Sequence, residues 1–554
     1  MSPFYKGLHH ALTSLYGDSF NLSSDNKIFE KVSAAFESVT KWLHRKKNFQ
    51  PEMLTEKEPQ TLIKETFNVF KTPLEDLSIE QDIPEELTRT LSENIFYFSG
   101  FKTYHELKEA SLLLKDEKGG FKSFDKFAQD VKRINERYNR NYLNAEYEFA
   151  VSSSQMAVKW KDYEKDGDRY NLQYRTAADD RVREEHAALH GITLPPSDKF
   201  WDKYYPPNGW RCRCTVVQVR KGKYDESDSD DACKAGDKAT THIGKNGSNK
   251  AAIFRFNPGK QEKIFPPKHP YYKVPEAVKN IVEKVSAEEM QKKRIAEIIT
   301  ELPNNLTDEQ KQAIAEHCIE LEKVLGITKG KPMSVDEADK QSANPSHVPK
   351  YLLDPQGNLY DGYARYSLNP DYVEKRDKPN SINCQTCAPA YALRLMGFDV
   401  SAKPNTKGSK LDYLSKGHAF EVWKNIDGTP AKHTSLNGWK AKKGYDNMTP
   451  KRYLEFFEDV CKETGVYELS IGWKGGSGHA TILQRFEDGT LKYIEPQHDN
   501  SEGSGLEFKD LNYLANNGAT SASKIHDCRG IMRIDNKLFN LDFVEIFNKR
   551  VDDE

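Results

Sequence analysis

Apolar positions along this chain change their spacing several times, and the changes divide it. Up to about residue 157 the spacing is helical. Leu12, Leu15, Tyr16 and Phe20 recur at such intervals, as do Phe29, Val32, Phe36, Val39 and Leu43, with charged residues between them. Phe67, Phe70, Phe96, Tyr97, Phe98 and Phe101 are expected to pack between helices, and Phe121 to Ala157 reads as one long helical pattern. Near Tyr170 the pattern breaks into short segments rich in Pro, Gly and aromatics, closing on the strand-like Thr215-Val216-Val217-Gln218-Val219. Helical spacing returns over 276–326. There Thr307 and Gln310 form a capping box, Ile314, Cys318, Leu321 and Leu325 line one face, and Gly326 ends the run. The Lys-, Ser-, Pro- and Asn-rich stretch 328–349 reads as a hinge, with a domain boundary near residue 335.

Beyond that boundary, Cys384 and Cys387 stand where a helix begins, and Gly397 supplies its stop. Further on, Glu468 to Trp473, His479 to Phe486 and Leu491 to Gln497 read as strands, joined by turns at Lys474–Gly478 and Glu487–Gly489. A three-residue loop at Glu487–Gly489 puts Gly489 in the left-handed position, pairs Phe486 with Thr490, and aligns His479 with Gln497. Glu495 then shares a face with His479; a two-residue loop sends it to the other face.

Length and composition add bounds. A chain of 554 residues exceeds one core, so two or three domains are expected. The 82 basic and 84 acidic residues balance, so no global field argues for nucleic acid or membrane. No apolar run reaches membrane-spanning length, and the first residues lack the regions of a signal peptide. Eight thinly spread cysteines do not form a disulfide framework, and folding in a reducing bacterial cytoplasm is the expectation.

The candidate chemistry lies in the C-terminal part. A thiol at a helix N-terminus is favoured as thiolate, and His479 supplies a base. Cysteine on a helix, histidine on a strand and a carboxylate or amide on the next strand is the papain-like order. Cys384 is the expected nucleophile and Cys387 the alternative, because Pro389 suits a helix that starts nearer Thr386. Glu495 or Gln497 orients the imidazole. Asn383, Asn380 or backbone N–H groups are candidates for the oxyanion. His418 is expected to be structural, His433 and His498 solvated, and Cys461 and Cys528 core thiols. No cofactor is expected for this chemistry.

Two further groups carry alternatives. His186, His190, Cys212 and Cys214 form a candidate zinc set, against buried thiols and a hydrogen-bonded histidine, with acidic residues pairing Arg211 and Arg213. Residues 245–273 interleave Lys245, Lys250, Arg255, Lys260, Lys263, Lys268 and Lys273 with Phe254, Phe256, Phe265, Tyr271 and Tyr272. This suits either DNA contact or a packed arm. Residues 224–231 read as an acidic loop.

Two resemblances follow from these motifs. Thr176-Ala177-Ala178-Asp179-Asp180-Arg181-Val182, read as Thr-Ala-x-Asp-x-Arg-Val, the His190-Gly191 segment, and Pro206-Pro207-Asn208-Gly209-Trp210-Arg211-Cys212-Arg213-Cys214-Thr215-Val216-Val217 resemble the phage Mu F-like head morphogenesis, or minor head, family. That resemblance implies a structural role at the portal or inside the head, with portal and capsid proteins as partners. Asn383-Cys384 with Cys387, Arg394 to Ala402, Gly478-His479-Ala480 and Glu495-Pro496-Gln497 resemble papain-fold toxin domains, in which Asp-Pro-Gln is usual at the last motif. This second resemblance implies a glutamine deamidase or protease acting on a protein in the cytoplasm of a target cell.

The expected fold is therefore multidomain. A mostly α-helical Mu F-like half with a small β-containing Cys/His segment (1–275) leads through a helical connector and hinge (276–335) to an α+β papain-like domain (336–554). The expected function is a virion protein carrying a thiol hydrolase. The alternative is a purely structural minor capsid or portal-associated protein without catalysis.

Overall fold

A computed structural model describes residues 3–16, 27–244, 247–339, 342–352, 368–472, 478–497 and 529–549. Phe20, Lys245, Trp473, the turn residues 474–477, His498 and Cys528 lie outside them. The chain forms two compact units, Met1–Met290 and Gln291–Glu554. Among the described residues no helix is long and apolar enough to cross a membrane.

The first unit is mainly helical. The helices Pro3–Tyr16, Lys27–Lys46, Lys57–Glu80 and Glu85–Ser111 follow the predicted periodicity. Phe67, Phe70, Phe96, Phe98 and Phe101 are all buried in their shared core. The long pattern from Phe121 begins as helix at Phe124 and runs to Asp166, through one π-helical stretch at Arg137–Tyr142. Three antiparallel strands follow: β1 (Tyr170–Arg175), β2 (Thr193–Leu194) and β3 (Thr215–Arg220), with β1 in the centre. The acidic stretch 224–231 is more than a loop. Asp228 accepts from the N–H groups of Asp230 and Asp231 and caps the helix Ser229–Ala239. In the basic arm, Phe254, Phe256, Phe265 and Tyr271 are core residues, while Arg255 pairs with Asp237 and Lys260 with Asp202. These four rings present no stacking platform to a nucleic acid, which favours the packed-arm reading.

The division between the units falls within the helix Glu276–Glu301. Downstream, the capping box at Thr307 and the left-handed Gly326 bound the helix Asp308–Leu325. Its Ile314, Cys318, Leu321 and Leu325 share a core with Ala388, Tyr391 and Leu393. The stretch 328–349, expected as a hinge, is built into this second unit. Lys329 is buried against Glu301, the Lys329 carbonyl accepts from Arg294, and Asn344 is buried among carbonyls. Lys329, Asp339 and Asn344 imitate linker residues in sequence although they are buried within the unit, while neighbours such as Lys331, Ser334 and Glu337 do face water.

The strands of the second unit are β4 (Val400–Ala402), β5 (Trp423–Lys424), β6 (Thr434–Ser435), β7 (Gly465–Gly472), β8 (Gly478–Arg485), β9 (Leu491–Ile494), β10 (Gly530–Arg533), β11 (Leu538–Phe539) and β12 (Phe547–Lys549). Five of them form an antiparallel sheet in the order β6-β10-β7-β8-β9. Every residue of β7 is buried, since apolar clusters cover both faces. Alternation sorts its side chains: Val466 packs with Ile482 and the helix Cys384–Leu395, whereas Tyr467, Leu469 and Ile471 pack with Trp439, Phe456 and Phe457.

Gly397 ends the cysteine helix at φ +100, and its carbonyl accepts from Gly330 N–H at 2.9 Å. A Cβ here would stand 2.2 Å from the Gly330 oxygen. Gly397→Ala is therefore expected to cost about 3 kcal/mol, from left-handed strain plus a backbone clash. Thermal unfolding of the full chain should show an early transition of the second unit.

Candidate functional site

The helix Cys384–Leu395 begins at Cys384, two to three residues earlier than the start at Thr386–Cys387 that Pro389 suggests. The N–H groups of Thr386 and Cys387 both reach the Asn383 carbonyl, at 2.8 and 3.2 Å, and make an irregular first turn. Pro389 lies inside the helix and withholds one backbone bond. The helix persists because Cys384 to Arg394 are all buried, and tertiary packing outweighs the local preference.

The histidine is placed by the hairpin. Gly489 is left-handed at φ +83, and Phe486 N–H donates to the Thr490 carbonyl. The ladder runs Arg485↔Leu491, Gln484↔Lys492, Leu483↔Tyr493 and Ile482↔Ile494. This is the register that the three-residue loop predicts, and its extension aligns His479 with Gln497.

These two placements meet at one ring. His479 Nε2 donates to Glu495 Oε2 at 2.6 Å, and the ring is hydrogen-bonded to Cys384. With Nε2 taken by the carboxylate, Nδ1 is the ring atom left to the sulfur. Glu495 is fully buried and accepts twice more, from Tyr493 OH at 2.6 Å and from Gln497 N–H at 3.1 Å. The Glu side chain is thus long enough to reach the ring from its place on the strand that follows the hairpin. Burial pushes the His479 imidazole down, but the Glu495 charge and the Cys384 hydrogen bond outweigh it and hold the ring well above the ordinary imidazole range. Of the two thiols, Cys384 keeps 9 % exposure and Cys387 none. Burial pushes the Cys387 thiol well up, and the charges of Cys384 and Glu495 add to this.

Other expected residues sit elsewhere. Gln497 turns to Asn383, donating from Nε2 to Oδ1 at 3.2 Å. The Asn383 amide donates to Asn344 Oδ1 and the Lys403 carbonyl, and Asn380 donates to the Arg376 carbonyl. Both amides are therefore engaged away from Cys384, and at the helix start the Thr386 and Cys387 N–H groups are taken by the Asn383 carbonyl while those of Cys384 and Gln385 precede the intrahelical ladder. His418 stacks on Tyr413 and pairs with Glu421, a structural role. His433 is half-buried against Phe420 rather than fully solvated, and Cys461 is a core thiol.

Two supporting residues escaped the sequence reading. Tyr493 stands two positions before Glu495, so strand alternation signals their shared face. Asn344, which donates to the Asn380 and Gln497 carbonyls at 3.0 Å each, lies far away in the chain and carries no local signal.

In the first unit, His186, Cys212 and Cys214 come together. Both sulfurs lie 3.8 Å from His186 Nδ1. Arg213, between the cysteines, points away to a two-pronged pair with Asp179, and Arg211 pairs with Glu148. The hydrogen bond with Cys214, and then His186, hold the Cys212 thiol well below the ordinary thiol range. His190 is not brought to this cluster; its Nδ1 accepts from Thr176 N–H at 3.2 Å.

Residues 118–217 match the family model described as Phage Mu protein F like protein. The "Putative capsid assembly protein F" of Escherichia phage Mu is 52 % identical over 54 residues, which is 10 % of this chain and 12 % of that protein. The "Mu-like prophage FluMu F protein" of Haemophilus influenzae is 41 % identical over 64 residues, 10 % of this chain and 16 % of that protein. The chain thus spans under a fifth of the length of these curated relatives. No solved structure matches. A Mu F-like segment is therefore part of the first unit, and it contains His186, Cys212 and Cys214.

Proposed function

We propose that this chain is a phage head protein whose second unit is a papain-like thiol hydrolase acting as a toxin. The Mu F-like segment supports the first part and suggests capsid and portal proteins as partners, with the virion as destination. The second part rests on one observation: His479 is bonded both to Cys384 and to the buried Glu495.

In this reading the Cys384 thiolate attacks an amide carbonyl of a target-cell protein. The oxyanion is met by the N–H groups of Cys384 and Gln385, which precede the intrahelical ladder at the helix start. The His479 imidazolium protonates the departing nitrogen, leaving a thioester, and the neutral ring then takes a proton from the water that hydrolyses it. Glu495 holds the ring and offsets its charge. A glutamine side chain yields ammonia and glutamate; a peptide bond yields a new N-terminus.

The test is expression of the full chain in a bacterial cytoplasm beside Cys384→Ala, with proteomic search for deamidated glutamines and new N-termini. Growth arrest and modification that vanish together in the variant support the reading. Equal arrest by both chains, or no modification with either, returns the second unit to a structural role.

The pH profile gives a separate prediction. Because His479 titrates above the ordinary range, the proton needed by the leaving nitrogen is retained at neutral pH and lost only as pH rises past that value. The basic limb of kcat/KM should lie above the usual imidazole value of about 6.5. Glu495→Gln should move that limb toward neutrality, as read from hydrolysis of a small amide substrate, whose leaving nitrogen needs the proton; an unmoved limb assigns it to another group.

A further inference from the structure

We propose that His186, Cys212 and Cys214 bind a zinc ion through three protein ligands, with the fourth coordination position turned to a large cavity and filled by water.

The fold assembles the three donors from separate places. Arg175↔Thr215 is the terminal pair of the β1–β3 ladder, so the chain leaving β1 and the chain entering β3 start side by side. From β1 the chain leads through the one-turn helix Glu184–Ala187, which carries His186. Before β3 comes the segment with both cysteines, where Arg211 takes a left-handed φ of +59. Alternation in Cys212-Arg213-Cys214 sends both sulfurs one way and the arginine the other. A one-residue spacing, tighter than the usual zinc-knuckle pair, thus brings two donors together here.

The donor geometry fits the ion. The three donor atoms lie within 4.8 Å of one another, and each sulfur is 3.8 Å from Nδ1. Tetrahedral zinc, with Zn–S of about 2.3 Å and Zn–N of about 2.0 Å, spaces such atoms about 3.6 Å apart, so small shifts suffice. A hydrogen-bonded thiol pair accounts for the same contacts less fully, since both sulfurs converge on one ring nitrogen. All three residues are buried, yet they form part of the wall of a cavity of about 1380 Å³. Among the described residues the cluster holds no fourth His, Cys, Asp or Glu. Three ligands beside open volume are the pattern of a zinc site with an exchangeable position. Tyr174, fully buried with its hydroxyl donating to Asn208 Oδ1, lies beside Cys214 outside the donor set.

The experiment uses the full-length chain, and its readouts are independent of any hydrolase activity. Metal analysis after dialysis should find about one zinc per chain. The variants His186→Ala, Cys212→Ser and Cys214→Ser should lose most of it, whereas His190→Ala and Cys384→Ser should retain it. Cobalt substitution of the unaltered chain should give intense visible bands of a tetrahedral site and thiolate-to-cobalt charge transfer, and added azide should shift the visible bands. Absence of zinc and of cobalt–thiolate bands in the unaltered chain overturns the site, whatever the variants do. Zinc retained after loss of both cysteines overturns the assignment. Bands that azide leaves unmoved overturn the open fourth position.

Discussion

Replacing Cys384 with alanine is expected to abolish hydrolysis and toxicity, with a loss of rate on the order of 10⁴-fold or more. The sulfur is the atom that bonds to substrate in the proposed mechanism, and no other described side chain is placed to substitute. Cys387 is buried three residues on, with its proton held tightly. His479→Ala should match this loss, and the double variant should lose little more, because the thiolate and its acid partner act as one unit. Glu495→Gln is expected to cost less, on the order of 10²–10⁴-fold. Its amide must turn an N–H either toward the Gln497 N–H or toward the His479 and Tyr493 donors, so one bond of the cluster becomes a repulsion. Rates on an activated ester, measured for all four variants, check the ranking. Full activity of Cys384→Ala together with loss in Cys387→Ala would hand the nucleophile's role to the second thiol.

The largest expected effect on stability lies in the first unit. Lys102 and Glu146 are both fully buried and meet at 2.5 Å, with the Lys102 ammonium also donating to the Tyr138 carbonyl at 2.7 Å. Glu146 accepts in addition from Tyr16 OH at 2.6 Å. The neighbouring Glu106 does not compete for the cation near neutral pH, because burial pushes its carboxyl up to about 8 and keeps it protonated. Lys102→Met should therefore strand one buried carboxylate and cost about 3–5 kcal/mol. Lys102→Met combined with Glu146→Gln should recover much of this, since neither charge then remains. Hydrogen exchange of the helix Glu85–Ser111 in the full chain reads the change locally. A loss below about 1 kcal/mol would mean that water or another cation reaches Glu146.

Much of the candidate site was legible before any coordinates. The register joining His479 to the Glu495 face follows from one loop, because strand alternation has a period of two and a glycine fixes the turn. The capping box at Thr307 and the stops at Gly326 and Gly397 are local as well: each depends on atoms within a few residues. The helix start was less legible. Pro389 argued for a later beginning, and only the burial of the whole helix shows why Cys384 is its first residue. The stretch 328–349 misled for a related reason. A polar composition does not reveal whether the polar groups bond to water or to one another.

By itself, then, the sequence determined the helical first unit, the hairpin register and the order of cysteine, histidine and carboxylate. These depend on periodicity and turn chemistry, which act over a few residues. The tertiary structure decided what depends on distant partners. It set Cys384 rather than Cys387 against His479, bonded the ring to Glu495 while turning Gln497 to Asn383, and brought Asn344 to the Gln497 carbonyl. It also gathered His186 with Cys212 and Cys214 and left His190 on Thr176. Such choices are made by packing and by the pairing of buried polar groups, and neither is written in the spacing of residues along a chain.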